Sequence, residues 1–355
     1  MEVSLEEPKV FPSKHGCFLA LSLDSLENFN CWRPIDCPTP SPTAASNDTQ
    51  TWTVKVEFAS INFRDVMVGV SKLERSKALT GFGSESGGLG LDFAGSVDQK
   101  NVIGLGCDCI TNTLLRQPKY LSWELEQDCD LESYATVPCA YATAYYALCV
   151  RGRLQSDHKI LIHCGAGGVG QAALHICLRR LNDPMSQLFV TCGMELKRNF
   201  LHEEFGIPFE NIGDSRNCDF KRIILGKVDK GVDLVLNSLT GDLMAASISC
   251  LAFGGMLLEL GKTAIEPSVI QILSRNDRQL AMIDLDQVMA CRASFEPIRA
   301  LLDSGLKSGE VKPLHYKMFT VPQETKAAFE FMSSHDRIGK VVLKIDRDNL
   351  CATHA

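Results

Sequence analysis

The sequence predicts an α/β fold in two parts, a β-rich part and a doubly wound parallel sheet, and three observations carry that prediction. A short apolar strand, Lys159 to Ile162, runs into the turn Gly165-Ala166-Gly167-Gly168-Val169-Gly170 and on into a helix, Ala172 to Arg180. Beyond that turn, continuous apolar runs alternate with helical patterns, as they do in parallel sheets covered on both faces. Ahead of it, short strand-like runs separated by turns read as a small barrel-like β part.

Composition bounds the remaining choices. The chain has 355 residues, enough for two domains or for one inserted into another, and 45% of them are apolar, enough for a sizeable core. A net charge of −7 argues against nucleic acid or an anionic membrane as the main partner. The 15 cysteines are odd in number and lie in apolar runs such as Leu148-Cys149-Val150, the pattern of reduced core thiols. No N-terminal run resembles a signal peptide and no stretch is long enough to span a membrane, so a cytoplasmic protein is expected.

In chain order, Cys17 to Leu21 and Trp52 to Phe58 read as strands, the second alternating with period two. Pro34 to Thr51, rich in Pro, Ser, Thr and Asn, reads as a surface loop. Leu23-Asp24-Ser25-Leu26 carries the Asp-Ser-Leu triplet of phosphopantetheine attachment, but it lies between strand-like runs without a helical carrier pattern, and that role is rejected. Leu91 to Val97 and Val102 to Leu105 are further strands, and Tyr141 to Val150 is a helix leading to the glycine turn. After it come strands at Gln187 to Thr191, Val232 to Asn237, Met256 to Leu260 and Gln279 to Ile283. Helices are expected at Lys197 to Phe205, Leu243 to Leu251 and Glu324 to Met332, and Lys340 to Ile345 is a last strand returning to the β-rich part.

The turn itself states a chemistry. Gly165, Gly167 and Gly170 fit G-x-G-x-x-G between a strand and a helix, the context this fingerprint requires. The first glycine permits the tight turn, the second lets backbone approach a pyrophosphate, and the third lets helix pack on strand. Free N–H groups at the helix start then face the phosphates. The second strand ends Thr191-Cys192-Gly193 with no carboxylate for a ribose hydroxyl, while Lys197 and Arg198 follow closely. Cations there suit a 2′-phosphate, which favours NADPH over NADH. Glu195 is a displaced alternative for the ribose.

Further motifs extend the reading. Ser60-Ile61-Asn62-Phe63-Arg64-Asp65-Val66, Val137-Pro138 with Thr143-Ala144-Tyr145-Tyr146, and Arg151-Gly152-Arg153 precede the turn. Val232-Asp233-Leu234-Val235-Leu236-Asn237-Ser238-Leu239, Glu259-Leu260-Gly261-Lys262 and Ile338-Gly339-Lys340-Val341-Val342 follow it. In this order they resemble the enoyl reductase domains of type I fatty acid and polyketide synthases, in particular the animal fatty acid synthase type, from about residue 15 to 346.

That resemblance implies a zinc-free medium-chain dehydrogenase/reductase fold. A GroES-like substrate domain would comprise 1–139 and 284–355, and a Rossmann NADPH domain 140–283, with a homodimer formed through the latter. The implied reaction is reduction of a trans-2-enoyl thioester on an acyl carrier protein, with hydride to the β-carbon and a proton to the α-carbon. The enolate formed needs donors at the thioester oxygen and a proton source. Lys262, just past the carboxyl end of a strand, matches the family's proposed proton donor. Its carboxylate partner is Asp286 or Asp284. The cofactor would lie on Gly165, Gly167, Gly168, Val169 and Gly170, with Thr143, Lys197, Arg198, Asn237, Gly339 and Lys340 around it. No metal site is expected: Cys107 and Cys109 are too close and too few for a four-cysteine zinc lobe. Asn62, Arg64 and Asp65 can equally brace a loop or border the substrate. Leu73 stands where some polyketide domains carry a tyrosine, and Met194 where the family carries a serine. A quinone or enone reductase of the same fold, and a non-catalytic synthase domain, are the rival readings.

Overall fold

The computed structural model describes residues 18–21, 32–35, 51–69, 89–261, 267–274 and 277–346. Its elements begin with β1 (Phe18–Leu21), β2 (Trp32–Ile35), β3 (Thr51–Ile61), α1 (Phe63–Gly69), β4 (Asp92–Val97), β5 (Lys100–Leu105), β6 (Thr113–Pro118), β7 (Ser122–Glu124) and α2 (Leu131–Tyr134). Next come α3 (Pro138–Tyr145), β8 (Ile160–Ile162), α4 (Gly168–Arg180), α5 (Pro184–Gln187), β9 (Leu188–Cys192), α6 (Glu195–Phe205), β10 (Ile212–Asp214), α7 (Asp219–Lys227), β11 (Val232–Asn237), α8 (Gly241–Ser249) and β12 (Leu251–Glu259). The chain closes with α9 (Pro267–Ser274), β13 (Gln279–Met282), α10 (Leu285–Met289), α11 (Arg292–Ser308), β14 (Tyr316–Val321), α12 (Thr325–Ser333) and β15 (Lys340–Ile345).

Two compact units result. The first takes the described residues up to Ala135 together with Lys317–Ser333 and those from Val341 onward; the second takes Thr136–Tyr316 and Ser334–Lys340. In the first, a sheet runs β14-β15-β3-β4-β5-β7, antiparallel from β15 to β7, with β6 also paired antiparallel to β3. The long strand β3 pairs Ile61 with Val341, so the last strand returns to the β-rich part as its apolar pattern anticipates. Val54, Val56, Phe93, Ile103, Phe329 and Val341 are buried there.

The second unit holds a six-stranded sheet in the order β10-β9-β8-β11-β12-β13, parallel at every pairing. Chain order reverses between β8 and β11, the switch point at which doubly wound sheets take ligands. Continuous burial along β9 and β11 explains why both read as unbroken apolar runs.

The expected boundaries need correction. Residues 284–316 belong to the dinucleotide unit rather than to the β-rich one. Polar bonds around Glu310 hold them there: Tyr145 Oη donates to its carboxylate at 2.6 Å, and Arg180 donates through Nε at 2.9 Å and Nη2 at 2.8 Å. That carboxylate ties the segment after α11 to α3 and α4. The helix expected over Tyr141 to Val150 is α3 followed by a π-helical stretch, Tyr146–Arg151. The helix expected to reach Leu251 stops at Ser249, because Leu251 already pairs with Val232 in the sheet.

Buried imidazoles in the second unit give an expected pH dependence. His163 lies between the hydroxyls of Thr191 and Ser247, each at 2.8 Å, and burial holds its pKa down at about 3. His175, 2.6 Å from Tyr141 Oη, is held down at about 4 by burial and by the charge of Lys312. Both values lie below the ordinary 6.5, so the unfolded chain takes up protons that the folded chain refuses. Their stabilisation is complete above that pH and is lost as the pH falls, by up to about 1.4 kcal/mol per unit for each ring. Urea unfolding at about pH 7.5 and 5.5, a window above the carboxylate range, is expected to show a loss of about 2–3 kcal/mol. Equal stability at the two values would contradict it.

Candidate active site

The glycine turn leaves the carboxyl end of β8 at the switch point. A β-carbon on Gly165 would sit 2.1 Å from Val190 Cγ1 of β9, and one on Gly170 would sit 2.5 Å from the Cys164 carbonyl oxygen. A β-carbon on Gly167 would meet only that same oxygen, at 3.3 Å. The first and third glycines are thus required by packing, whereas the middle one leaves its outer side open. That is the cradle a pyrophosphate needs. Gly167 caps α4, whose first residues, Gly168, Val169 and Gly170, carry N–H groups with no place in the helical ladder.

The tail segment closes over this turn. Gly339 donates its N–H to the Ala166 carbonyl at 2.8 Å and forms a bridge with Gly167. Lys340, buried, donates its N–H to the His315 carbonyl at 2.9 Å, and its stem lies against Gly168. Residues that are about 170 positions apart in sequence are therefore brought to one turn. Gln171 was missed by sequence reasoning. Its buried amide donates to Ala166 O at 2.9 Å and accepts from His315 N–H at 3.1 Å, fixing both sides of the turn. A glutamine at the fourth position of a helix carries no signal that separates such a buttress from a surface residue.

The cations sort themselves. Lys197, half-buried, has its pKa lowered by burial and by the charge of Arg337. Arg337 is also lowered by burial and feels the Cys164 thiol of the glycine turn. Two positive side chains from α6 and the tail thus converge beside the turn, an arrangement an anion would relieve. Arg337 was not anticipated, since only the fold brings the tail there. The Arg198 guanidinium donates to Ile212 O at 2.5 Å and Phe209 O at 3.3 Å and lies 3.7 Å from Glu195, bonds that brace the entry to β10. Met194 stands at the N-cap of α6 with no side-chain cap bond, where a serine could have supplied one.

Thr143 lies in α3 and donates its hydroxyl back to Cys139 O at 2.7 Å. Asn237, expected against the cofactor, is fully buried and spends its amide on Glu259 and on the Leu239 backbone. Asp284 is the N-cap of α10, accepting the Asp286 N–H at 3.2 Å, and Asp286 is only 2% exposed. Lys262, Leu73 and the Asp-Ser-Leu triplet lie outside the described residues. In the β-rich unit Asp65 accepts the N–H groups of Asn62 at 2.7 Å and Gly90 at 3.0 Å, and Asn62 donates to Asp92 at 2.8 Å. Asp65 and Asn62 thus hold a loop, the bracing option for that motif. A cavity of about 530 Å³, lined by Arg151, Arg153, His158, Asp233 and Phe253, opens at the amino ends of β11 and β12, the end of the sheet opposite the glycine turn.

Among the described residues no group of three or more His, Cys, Asp or Glu is placed to hold a metal ion, and no helix is long and apolar enough to cross a membrane.

With sheet order and turn in place, the comparisons can be stated. Residues 209–343 match the family model of zinc-binding dehydrogenases. A highly reducing polyketide synthase of Purpureocillium lilacinum is 30% identical over 305 residues, covering 84% of this chain and 12% of that protein. The compactin diketide synthase of Penicillium citrinum is 32% identical over 303 residues, covering 82% of this chain and 11% of that protein. The chain thus spans about an eighth or less of the synthases it matches. Among solved structures, the CurK enoyl reductase superposes with a TM-score of 0.79 at 26% identity, over 93% of this chain and all of that one. Fold and sheet order define a medium-chain dehydrogenase/reductase, an oxidoreductase. Within that class the chain belongs with the enoyl reductase domains of polyketide synthases, to which it is homologous over most of its length.

Proposed function

We propose that this chain reduces the 2,3 double bond of trans-2-enoyl thioesters with NADPH, on substrates delivered by an acyl carrier protein within a larger synthase. The observation that carries the cofactor assignment is the open cradle at Gly167 flanked by Lys197 and Arg337. A mycobacterial protein of the same fold, TM-score 0.71, was solved with NADPH. When bound, NADPH supplies the hydride that adds to the β-carbon. The turn and the first turn of α4 hold the pyrophosphate, and the paired cations hold the 2′-phosphate. Lys262, three positions after Glu259 in the sequence, gives the proton to the α-carbon. Asp284 accepts the Asp286 N–H as a helix cap, which supports Asp286, ahead of Asp284, as the carboxylate partner of Lys262. β13 ends the sheet order with Met282 exposed, and this edge is the surface proposed for a homodimer.

The test is NADPH oxidation with crotonyl-CoA, run beside NADH and beside Lys262→Ala. Turnover with NADPH, little with NADH, and a drop of about a hundredfold or more in the variant are expected. Turnover unaffected by Lys262→Ala would keep the reductase and remove the lysine from the proton step. A second reading, reduction of free enones or quinones, is favoured by the likeness of fold to a quinone oxidoreductase of Pseudomonas syringae, TM-score 0.71 at 16% identity. Faster turnover of free enones than of thioesters would select it. No NADPH binding at all would make the domain non-catalytic.

A further inference from the structure

We infer that Glu259 is a positioning residue for the nicotinamide half of the dinucleotide site, acting by stapling together the turns that leave β11 and β12. The inference rests on the dinucleotide reading above and adds a residue to it. Asn237 ends β11, Glu259 ends β12, and the two are register partners in the parallel sheet. Both side chains are buried, Glu259 at 1% exposure and Asn237 at 0%. One carboxylate oxygen accepts from Asn237 Nδ2 and the other accepts the Gly261 N–H at 2.5 Å. The Asn237 amide in turn donates to Leu239 O at 2.8 Å and accepts from Leu239 N–H at 3.3 Å. Backbone bonds from Leu260 N–H to Asn237 O and from Ile283 N–H to Glu259 O, both 2.9 Å, run alongside.

One buried carboxyl group therefore links the exit turn of β11 to that of β12. Burial raises its pKa, so the site holds it against a desolvation cost. Simple packing would not need a carboxyl here. The location gives the group its role. Ligands of doubly wound sheets bind at the carboxyl ends of the strands, one mononucleotide half to each set of strands. The glycine turn and the paired cations belong to the β8–β10 half, which leaves the β11 and β12 exits to the nicotinamide half. Gly261, whose N–H the carboxylate fixes, immediately precedes Lys262.

Both groups facing Glu259 are N–H donors, so only a side chain that accepts on both oxygens satisfies them. Glu259→Gln keeps the shape but turns an NH₂ toward one donor. Titration of the full chain with NADPH and with 2′,5′-ADP, which carries the adenosine half alone, separates positioning from folding. Glu259→Gln is expected to weaken NADPH by about tenfold or more while leaving 2′,5′-ADP within about twofold. Equal weakening of both ligands, or unchanged NADPH binding in Glu259→Gln, would each overturn the inference. A wild-type chain that binds neither nucleotide would instead overturn the dinucleotide reading itself.

Discussion

Replacing Gly339 by alanine is expected to destabilise the dinucleotide unit by about 4 kcal/mol or more and to abolish NADPH binding. The glycine has φ +71°, and a β-carbon on it would stand 1.7 Å from the His315 carbonyl oxygen and 2.5 Å from the carbonyl carbon. Left-handed backbone alone costs a non-glycine residue about 1–3 kcal/mol. The clash with backbone forces the rest, because neither the His315 peptide nor the Gly339 bond to Ala166 can shift without the other. Gly309, the C-cap of α11, is the internal control. It has φ +72° but no atom within 4 Å of the added carbon, so Gly309→Ala is expected to cost only about 1 kcal/mol. Urea unfolding of both variants, read with NADPH titration, checks the pair. Similar losses in the two would mean that the tail does not press on the turn.

Five of the six strands of the parallel sheet were legible, the inner ones because burial on both faces writes itself as an apolar run, as in Leu234-Val235-Leu236, whereas the three-residue β10 was too short to show. The glycine turn was legible for a related reason: its constraints are local, and steric need at Gly165 and Gly170 leaves few other residues. What stayed hidden was set by distant partners. Glu310 meets Tyr145 and Arg180 across more than 100 positions, and nothing near residue 310 announces that the segment belongs to the dinucleotide unit. Lys197 and Arg198 show the limit within a single helix. Neighbours on a helix point about 100° apart, and the sequence offers no means of ranking the two cations, whereas the bonds of Arg198 to the Ile212 and Phe209 carbonyls tie it to the scaffold. The two aspartates separate for a similar reason, since the start of α10 fixes which carboxylate caps the helix.

That division of labour among the cations yields the second large effect. Lys197→Ala and Arg337→Ala are each expected to lower affinity for NADPH by about 10- to 150-fold, the loss of a charged hydrogen bond worth about 1.5–3 kcal/mol. NADH, which lacks the 2′-phosphate, should bind these variants about as it binds wild type, so the ratio of kcat/KM for the two cofactors falls by the same factor. Lys197→Ala also removes a charge that burial and the neighbouring Arg337 disfavour. Its apo protein should therefore be no less stable, and unfolding measured without cofactor tests this. Arg198→Ala should behave in the opposite way, losing stability with the carbonyl bonds at Ile212 and Phe209 while keeping its cofactor ratio. Equal losses with NADPH and NADH in Lys197→Ala and Arg337→Ala would place both cations at the pyrophosphate, close to Cys164, and would remove the structural basis for choosing NADPH.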